Sequence, residues 1–172
     1  MAQSQPDSPP PDPLRVLTLV RELDEEFGAQ QFGQIMQTLL ALSFQREGYT
    51  VIKNAVGVPD LQAFRSSTPG GFAIEAKTGD MSITLAKRDL DGVRSASRVP
   101  LVAVFFLSEP TPRWRMIDAN SLRPATYRRY ELDTKPTVDV GFDVTGTFSR
   151  VLVDSFPIAI EDPGALARLL KN

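Results

Sequence analysis

Nine consecutive residues, Val99 to Leu107, read Val-Pro-Leu-Val-Ala-Val-Phe-Phe-Leu, without one charged or hydrogen-bonding side chain. The run is far too short to cross a bilayer, and its Val and Phe content suits a strand covered on both faces. Such a strand needs packing elements on each side of its sheet, which points to a layered α/β domain.

The flanking sequence supplies those elements. Asp12-Pro13 reads as an N-cap with proline at the first helical position. Leu14, Leu17, Val20 and Leu23 then recur at helical spacing up to Gly28. Phe32, Ile35, Met36, Leu39, Leu40 and Phe44 form the apolar stripe of a second helix, which Gly48 ends. The period then shortens. Tyr49–Asn54, Leu61–Arg65 and Phe72–Lys77 read as strands, with Thr68-Pro69-Gly70-Gly71 as a hairpin-like connection between the last two. Ile83, Ala86, Leu90 and Val93 predict an amphipathic helix, and Arg113–Ile117 a further strand. Val138–Val144 and Arg150–Val153 read as strands joined through Thr145-Gly146, before a short helix opened by Asp162-Pro163. The order helix–β–β–β–helix–β predicts a mixed β-sheet flanked by α-helices.

At 172 residues a single domain is expected over 13–172. Its core spans about 29–118, with a β/α extension over 119–172. Residues 1–12 are expected to be a disordered leader, since five of the first thirteen residues are proline. Without a basic segment leading into an apolar stretch, the N-terminus gives no sign of a secretory signal, so a cytoplasmic protein without membrane association is expected.

The chain has neither histidine nor cysteine. That removes Ser-His-Asp and Cys-His nucleophiles, Cys/His zinc sites and disulfides. Any bound metal would take oxygen ligands, which favours Mg²⁺, Mn²⁺ or Ca²⁺. The net charge of −2 is unevenly spread: residues 80–130 carry nine basic side chains against five acidic, whereas residues 131–172 carry four against seven. A basic middle of this kind can attract an anionic partner.

Chemistry concentrates on Asp60, Glu75 and Lys77. Strand alternation sends Phe72, Ile74 and Ala76 to one face of their strand and Ala73, Glu75 and Lys77 to the other. Asp60 opens the preceding strand after Gly57-Val58-Pro59. If the two strands pair antiparallel, Asp60 comes beside Glu75. Two converging carboxylates repel unless a cation separates them. Mg²⁺ commonly takes one or two carboxylates plus phosphate oxygens, and the backbone carbonyl of Ala76 could add a ligand. Lys77 would hold the attacking water and offset charge developing on a phosphate.

Val58-Pro59-Asp60-Leu61 and Ile74-Glu75-Ala76-Lys77, with fourteen positions between Asp60 and Glu75, resemble the signature of the PD-(D/E)XK nuclease superfamily. That superfamily includes restriction endonucleases, Holliday-junction resolvases, and Mrr-like and VRR-type nucleases. The resemblance covers roughly residues 29–107. It implies a restriction-endonuclease-like fold and a metal-dependent endonuclease that hydrolyses DNA phosphodiester bonds with Mg²⁺ or Mn²⁺. Asp60, Glu75 and Ala76 would be its metal ligands and Lys77 its catalytic lysine. Many members add a glutamate from the preceding helix; here the corresponding stretch offers Gln34 and Gln37. Gln37, at the rim of the apolar stripe, is the better placed to support the site, though its amide oxygen is a weaker ligand. Glu47 is near the helix end.

The glutamine motivates an alternative, a catalytically inactive nuclease-fold protein that binds DNA or assembles a complex. Lys87, Arg88 and Arg94 on the later helix are candidate phosphate contacts, as are Arg128 and Arg129 in Tyr127-Arg128-Arg129-Tyr130. Arg113-Trp114-Arg115 could clamp nucleic acid, with Trp114, on the opposite strand face, expected in the core. Cutting both strands of a duplex would need two sites, so a homodimer is expected. A protein partner could dock on the acidic C-terminal region.

Overall fold

The computed structural model describes residues 8–54, 59–66 and 68–171. Most of the expected leader, residues 1–7, therefore lies outside the described residues, as do Gly57 and Val58 of the first motif. Ser8, within the expected leader, is held through its carbonyl by Arg150 at 2.9 Å and 3.1 Å.

Helix α1 runs Pro13–Arg46 and is two helical segments meeting at Gly28, whose φ of 73° and ψ of 170° break the helical path. Only glycine takes that conformation without strain. Asp12 caps the start, its side chain accepting from the Leu14 amide at 2.7 Å. Val16, Leu17, Val20 and Leu23 are buried before the kink, while Leu14, read as part of that stripe, is exposed. Phe32, Ile35, Met36, Leu39, Leu40 and Phe44 are buried after it.

Strands β1 (Thr50–Lys53), β2 (Leu61–Arg65), β3 (Thr68–Gly79), β5 (Val99–Phe106) and β6 (Trp114–Asp118) form one sheet in the order β1-β2-β3-β5-β6. Only the β3–β5 pairing is parallel, so the sheet is mixed as expected. The Thr68–Gly71 cluster lies inside β3 rather than forming the turn; Arg65 and Thr68 already pair across the hairpin. A register shift between Ala63 and Arg65 is matched by Gly71 at φ +62°, where a Cβ would come 2.4 Å from the Ala63 carbonyl oxygen. A side chain on that strand would close the bulge.

Leu101, Ala103 and Phe105 of β5 join the core built by α1 and by α4 (Val144–Glu161). Val102, Val104 and Phe106 join a second core on the opposite face. The apolar run is thus covered on both sides. The second core is closed by β4 (Ser82–Leu85), α2 (Lys87–Ser95), β7 (Ala125–Arg128) and α3 (Arg129–Leu132). Strands β4 and β7 form their own two-stranded antiparallel ribbon.

Two expectations are corrected. Ile83 belongs to strand β4, not to the helix that follows; Ser82-Ile83-Thr84-Leu85 alternates exposed and buried, and the helix begins only at Lys87. Val138–Val144 and Arg150–Val153 are not strands. Asp143 caps α4 by accepting from the Gly146 amide at 3.0 Å, so the expected turn at Thr145-Gly146 is the helix's first turn. Phe148, Val151, Leu152, Ser155 and Ala159 are buried at helical spacing against α1. Tertiary packing there outweighs the strand preference of the valines. The terminal helix α5 (Pro163–Ala167) starts at Asp162-Pro163 as read from sequence. Among the described residues no helix is long and apolar enough to cross a membrane.

Candidate active site

Antiparallel pairing sets Leu61 opposite Ile74, which brings Asp60, one residue before β2, level with Glu75. The Asp60 backbone carbonyl accepts from the Asn54 amide at 3.0 Å, and the Asn54 side chain donates to the Pro59 carbonyl at 2.5 Å. Asn54 therefore clamps the turn by which Asp60 enters the sheet. The Asp60 carboxylate accepts from the Ala76 amide at 2.9 Å through Oδ2. In an extended strand a residue's N–H and C=O share one edge. The Ala76 carbonyl is thus on Asp60's side too.

Alternation along β3 follows the sequence. Ile74 and Ala76 face the α1 core, whereas Ala73 lies in the opposite core, on the side of Glu75 and Lys77. The Lys77 ammonium lies 3.2 Å from Glu75 Oε1 and 3.0 Å from Asp89 Oδ2. The other oxygen, Glu75 Oε2, is buried and has no hydrogen-bond partner among the described residues.

Electrostatics follow from this packing. Burial pushes the Glu75 carboxyl up to about 8, and the adjacent Asp60 charge pushes the same way while Lys77 opposes it. Burial also raises Asp60, and the Ala76 amide restrains that rise. Burial alone would lower Lys77, but its bonds to Asp89 and Glu75 outweigh it and hold the ammonium above its ordinary value. Asp89 stays below the usual carboxylate range: burial works against it, and the Ala86 amide and Lys77 prevail.

Asp89 and Asn54 were not singled out by sequence. A helix starting at Ile83, as the sequence pattern predicts, hides the role of Asp89, because α2 begins only at Lys87. Placed correctly, Asp89 is an acid at the third helical position, and its Oδ2 accepts from the Ala86 amide at 2.9 Å.

Gln37 is half-buried on α1, and none of the described hydrogen bonds joins it to Asp60, Glu75 or Lys77. Glu47 turns away toward α4, accepting from the Thr147 hydroxyl at 2.6 Å. Among the described residues no three acidic side chains gather into a metal-binding group. The donors in place are two carboxylates and one strand-edge carbonyl. They fit a hard divalent cation that keeps water or phosphate as its other ligands. The orphaned Glu75 oxygen, in a pair whose carboxyls are both raised, is what such a cation would satisfy.

The basic candidates divide. Arg88 is 87% exposed at the start of α2, and Lys87 beside it pairs with Asp91 on the next turn. Arg128 is exposed at the end of β7 opposite Ser82, with Arg129 exposed next to it. Arg94 differs: its Nη2 donates to the Ala119 and Leu122 carbonyls at 2.7 Å and 2.5 Å. The expected Arg113-Trp114-Arg115 clamp is not formed. Trp114 is core, edge-on to Phe148 at 5.5 Å between ring centres, and Arg115 is buried on Glu109 and Asp133. Several C-terminal acids have partners within the chain: Asp133 holds Arg115, Asp143 and Asp162 cap helices, and Asp154 pairs with Arg46.

No family model and no curated protein matches the sequence. Among solved structures, the chain is similar to Hjc, a Holliday junction resolvase of Archaeoglobus fulgidus, an archaeal hyperthermophile. The two share 17% identity over 57% of this chain and 92% of that one, with a TM-score of 0.46. The mixed sheet, the helices on its faces and the two motif segments side by side agree with the restriction-endonuclease-like PD-(D/E)XK fold that the sequence resembles.

Proposed function

We propose that the chain is a metal-dependent endonuclease that hydrolyses DNA phosphodiester bonds. The observation that carries this is half-buried Asp60 beside buried Glu75, one of whose oxygens has no partner among the described residues, next to a lysine held as an ammonium. Asp60 and Glu75, with the Ala76 carbonyl, would hold Mg²⁺ or Mn²⁺. When bound, the cation would supply a Lewis acid and lower the pKa of a water. The Lys77 ammonium orients the attacking water by donating to it and offsets negative charge growing on the phosphate oxygens. With no histidine present and Lys77 held as an ammonium, the water's proton would pass to a phosphate oxygen or to solvent. The departing oxygen of the broken P–O bond would take a proton from solvent. Arg88, Lys87, Arg128 and Arg129 would hold the backbone of the substrate by phosphate contacts that carry no sequence information. Two copies would act on the two strands of a duplex.

Gln37, where many members of the resembled superfamily place a carboxylate, favours a second reading: a DNA-binding or complex-assembly protein of the same fold that does not cleave. One experiment separates the two. Purified protein is incubated with Mg²⁺ or Mn²⁺ and supercoiled, linear, single-stranded and four-way branched DNA, alongside Asp60→Ala and Lys77→Ala. Cleavage by wild type that both variants lack supports the nuclease. Binding without any such cleavage supports the second reading, and neither binding nor cleavage removes both.

A further inference from the structure

Lys77 is shared between two carboxylates on different elements, Glu75 of β3 and Asp89 of α2. The same Asp89 oxygen, Oδ2, also accepts the Ala86 amide at the start of α2. Asp89 is almost fully buried, so neither bond is a solvent-exposed pair of marginal worth. Arg88 approaches only the other oxygen, at 3.9 Å. From the sheet, Asp60 and Glu75 face Lys77; from α2, Asp89 does.

A cation bound to Glu75 and the Lys77 ammonium compete for one carboxylate, and like charges at that distance repel. Without another anchor, Lys77 would either oppose the cation or leave the site. From this geometry we infer that Asp89 is the positioning residue for Lys77. It holds the ammonium beside the site when a divalent cation takes Glu75, and it ties Lys77 to the start of α2. The inference rests on the reading of Asp60 and Glu75 as cation ligands. It adds that Asp89 permits cation and lysine to occupy the site together.

Asp89→Asn tests this with little risk to the fold, because the amide oxygen still accepts from Ala86. Two measurements on the full chain are needed. In metal-free protein, the Lys77 ammonium should give a slowly exchanging nitrogen–proton signal whose exchange Asp89→Asn speeds, because a neutral amide oxygen in the same place holds the ammonium more weakly than a carboxylate oxygen. In Mn²⁺ titrations, Asp89→Asn should weaken binding by about tenfold, the size expected of one lost charge-assisted interaction. In a Lys77→Met background the same substitution should change Mn²⁺ affinity by less than about twofold, since no ammonium is left to compete. Equal loss in both backgrounds, or an ammonium signal indifferent to Asp89→Asn, overturns the inference. A wild type that binds no Mn²⁺ overturns the ligand reading instead, and the role assigned to Asp89 beside a bound cation falls with it. The ammonium signal separately decides whether Asp89 anchors Lys77.

Discussion

The Ala76 amide donates a 2.9 Å hydrogen bond to Asp60 Oδ2, tying the first motif carboxylate to the strand that carries the second. This bond holds Asp60 beside Glu75 despite the cost of burying its charge. Asp60→Asn keeps an acceptor for Ala76 and removes a charge whose burial is unfavourable. It should leave metal-free protein at least as resistant to urea as wild type at neutral pH. Asp60→Ala leaves the amide without its partner and should be about 1–2 kcal/mol less stable than the Asn variant. Equal midpoints for the two variants would show that the bond contributes nothing. In both, the Glu75 carboxyl should titrate lower, because one of the causes raising it is gone.

Stability of the metal-free protein should fall as pH rises through the window from about 4.5 to about 8. Glu75 keeps its proton in the folded chain across that window and loses it in the unfolded chain, so the folded state binds more protons. The slope can reach about 1.4 kcal/mol per pH unit for one such group. Chemical denaturation in chelator at a series of pH values measures it. Glu75→Gln should flatten the curve, and Mn²⁺ should restore stability in wild type on the alkaline side by binding the folded state alone. A wild-type profile unaltered by Glu75→Gln would refute the assignment.

The site's central residues were legible because they depend on local regularities. Alternation fixes the face of Glu75 and Lys77, and the short spacing between the motif strands makes antiparallel pairing the natural connection. Asp89 was not legible, since its role needs the fold to bring the start of α2 onto β3, and its partner is twelve positions away in sequence. The C-terminal region failed for a related reason. Val138, Val140, Val144, Val151 and Val153 suggest strands by composition, yet burial against α1 selects a helix over Val144–Glu161. The small ribbon also escaped notice: Ser82–Leu85 is only four residues long and pairs with Ala125–Arg128, far along the chain.

Gly71→Ala should be costly although the residue lies on a strand. The new Cβ would meet the Ala63 carbonyl oxygen at 2.4 Å and Phe64 Cβ at 2.7 Å, at a φ of +62°. A loss of about 1–3 kcal/mol is expected from backbone strain of this kind. Thermal unfolding measures it. Because β2 carries the chain away from Asp60, hydrogen exchange at the Ala76 amide should quicken as well. Gly33→Ala, where nothing lies within 4 Å of the added carbon, is the control and should be neutral or slightly stabilising.

Arg115 should be the most sensitive of the arginines on the basic middle segment. It is 5% exposed and donates to both oxygens of Glu109 at 2.6 Å and to Asp133 at 2.7 Å, so one guanidinium joins the β5–β6 loop to the segment after α3. Glu109 is itself buried. Arg115→Met would strand that carboxylate with only Arg113, at 3.6 Å, nearby, and should cost about 3–5 kcal/mol in urea unfolding. Adding Glu109→Leu to the same chain removes the stranded charge and should recover much of the loss. Arg115→Lys should fall between them, since an ammonium keeps the charge but cannot match both carboxylate oxygens in one plane. If Arg115→Met cost less than about 1 kcal/mol, the pair would behave as a surface salt bridge and its structural role would be refuted.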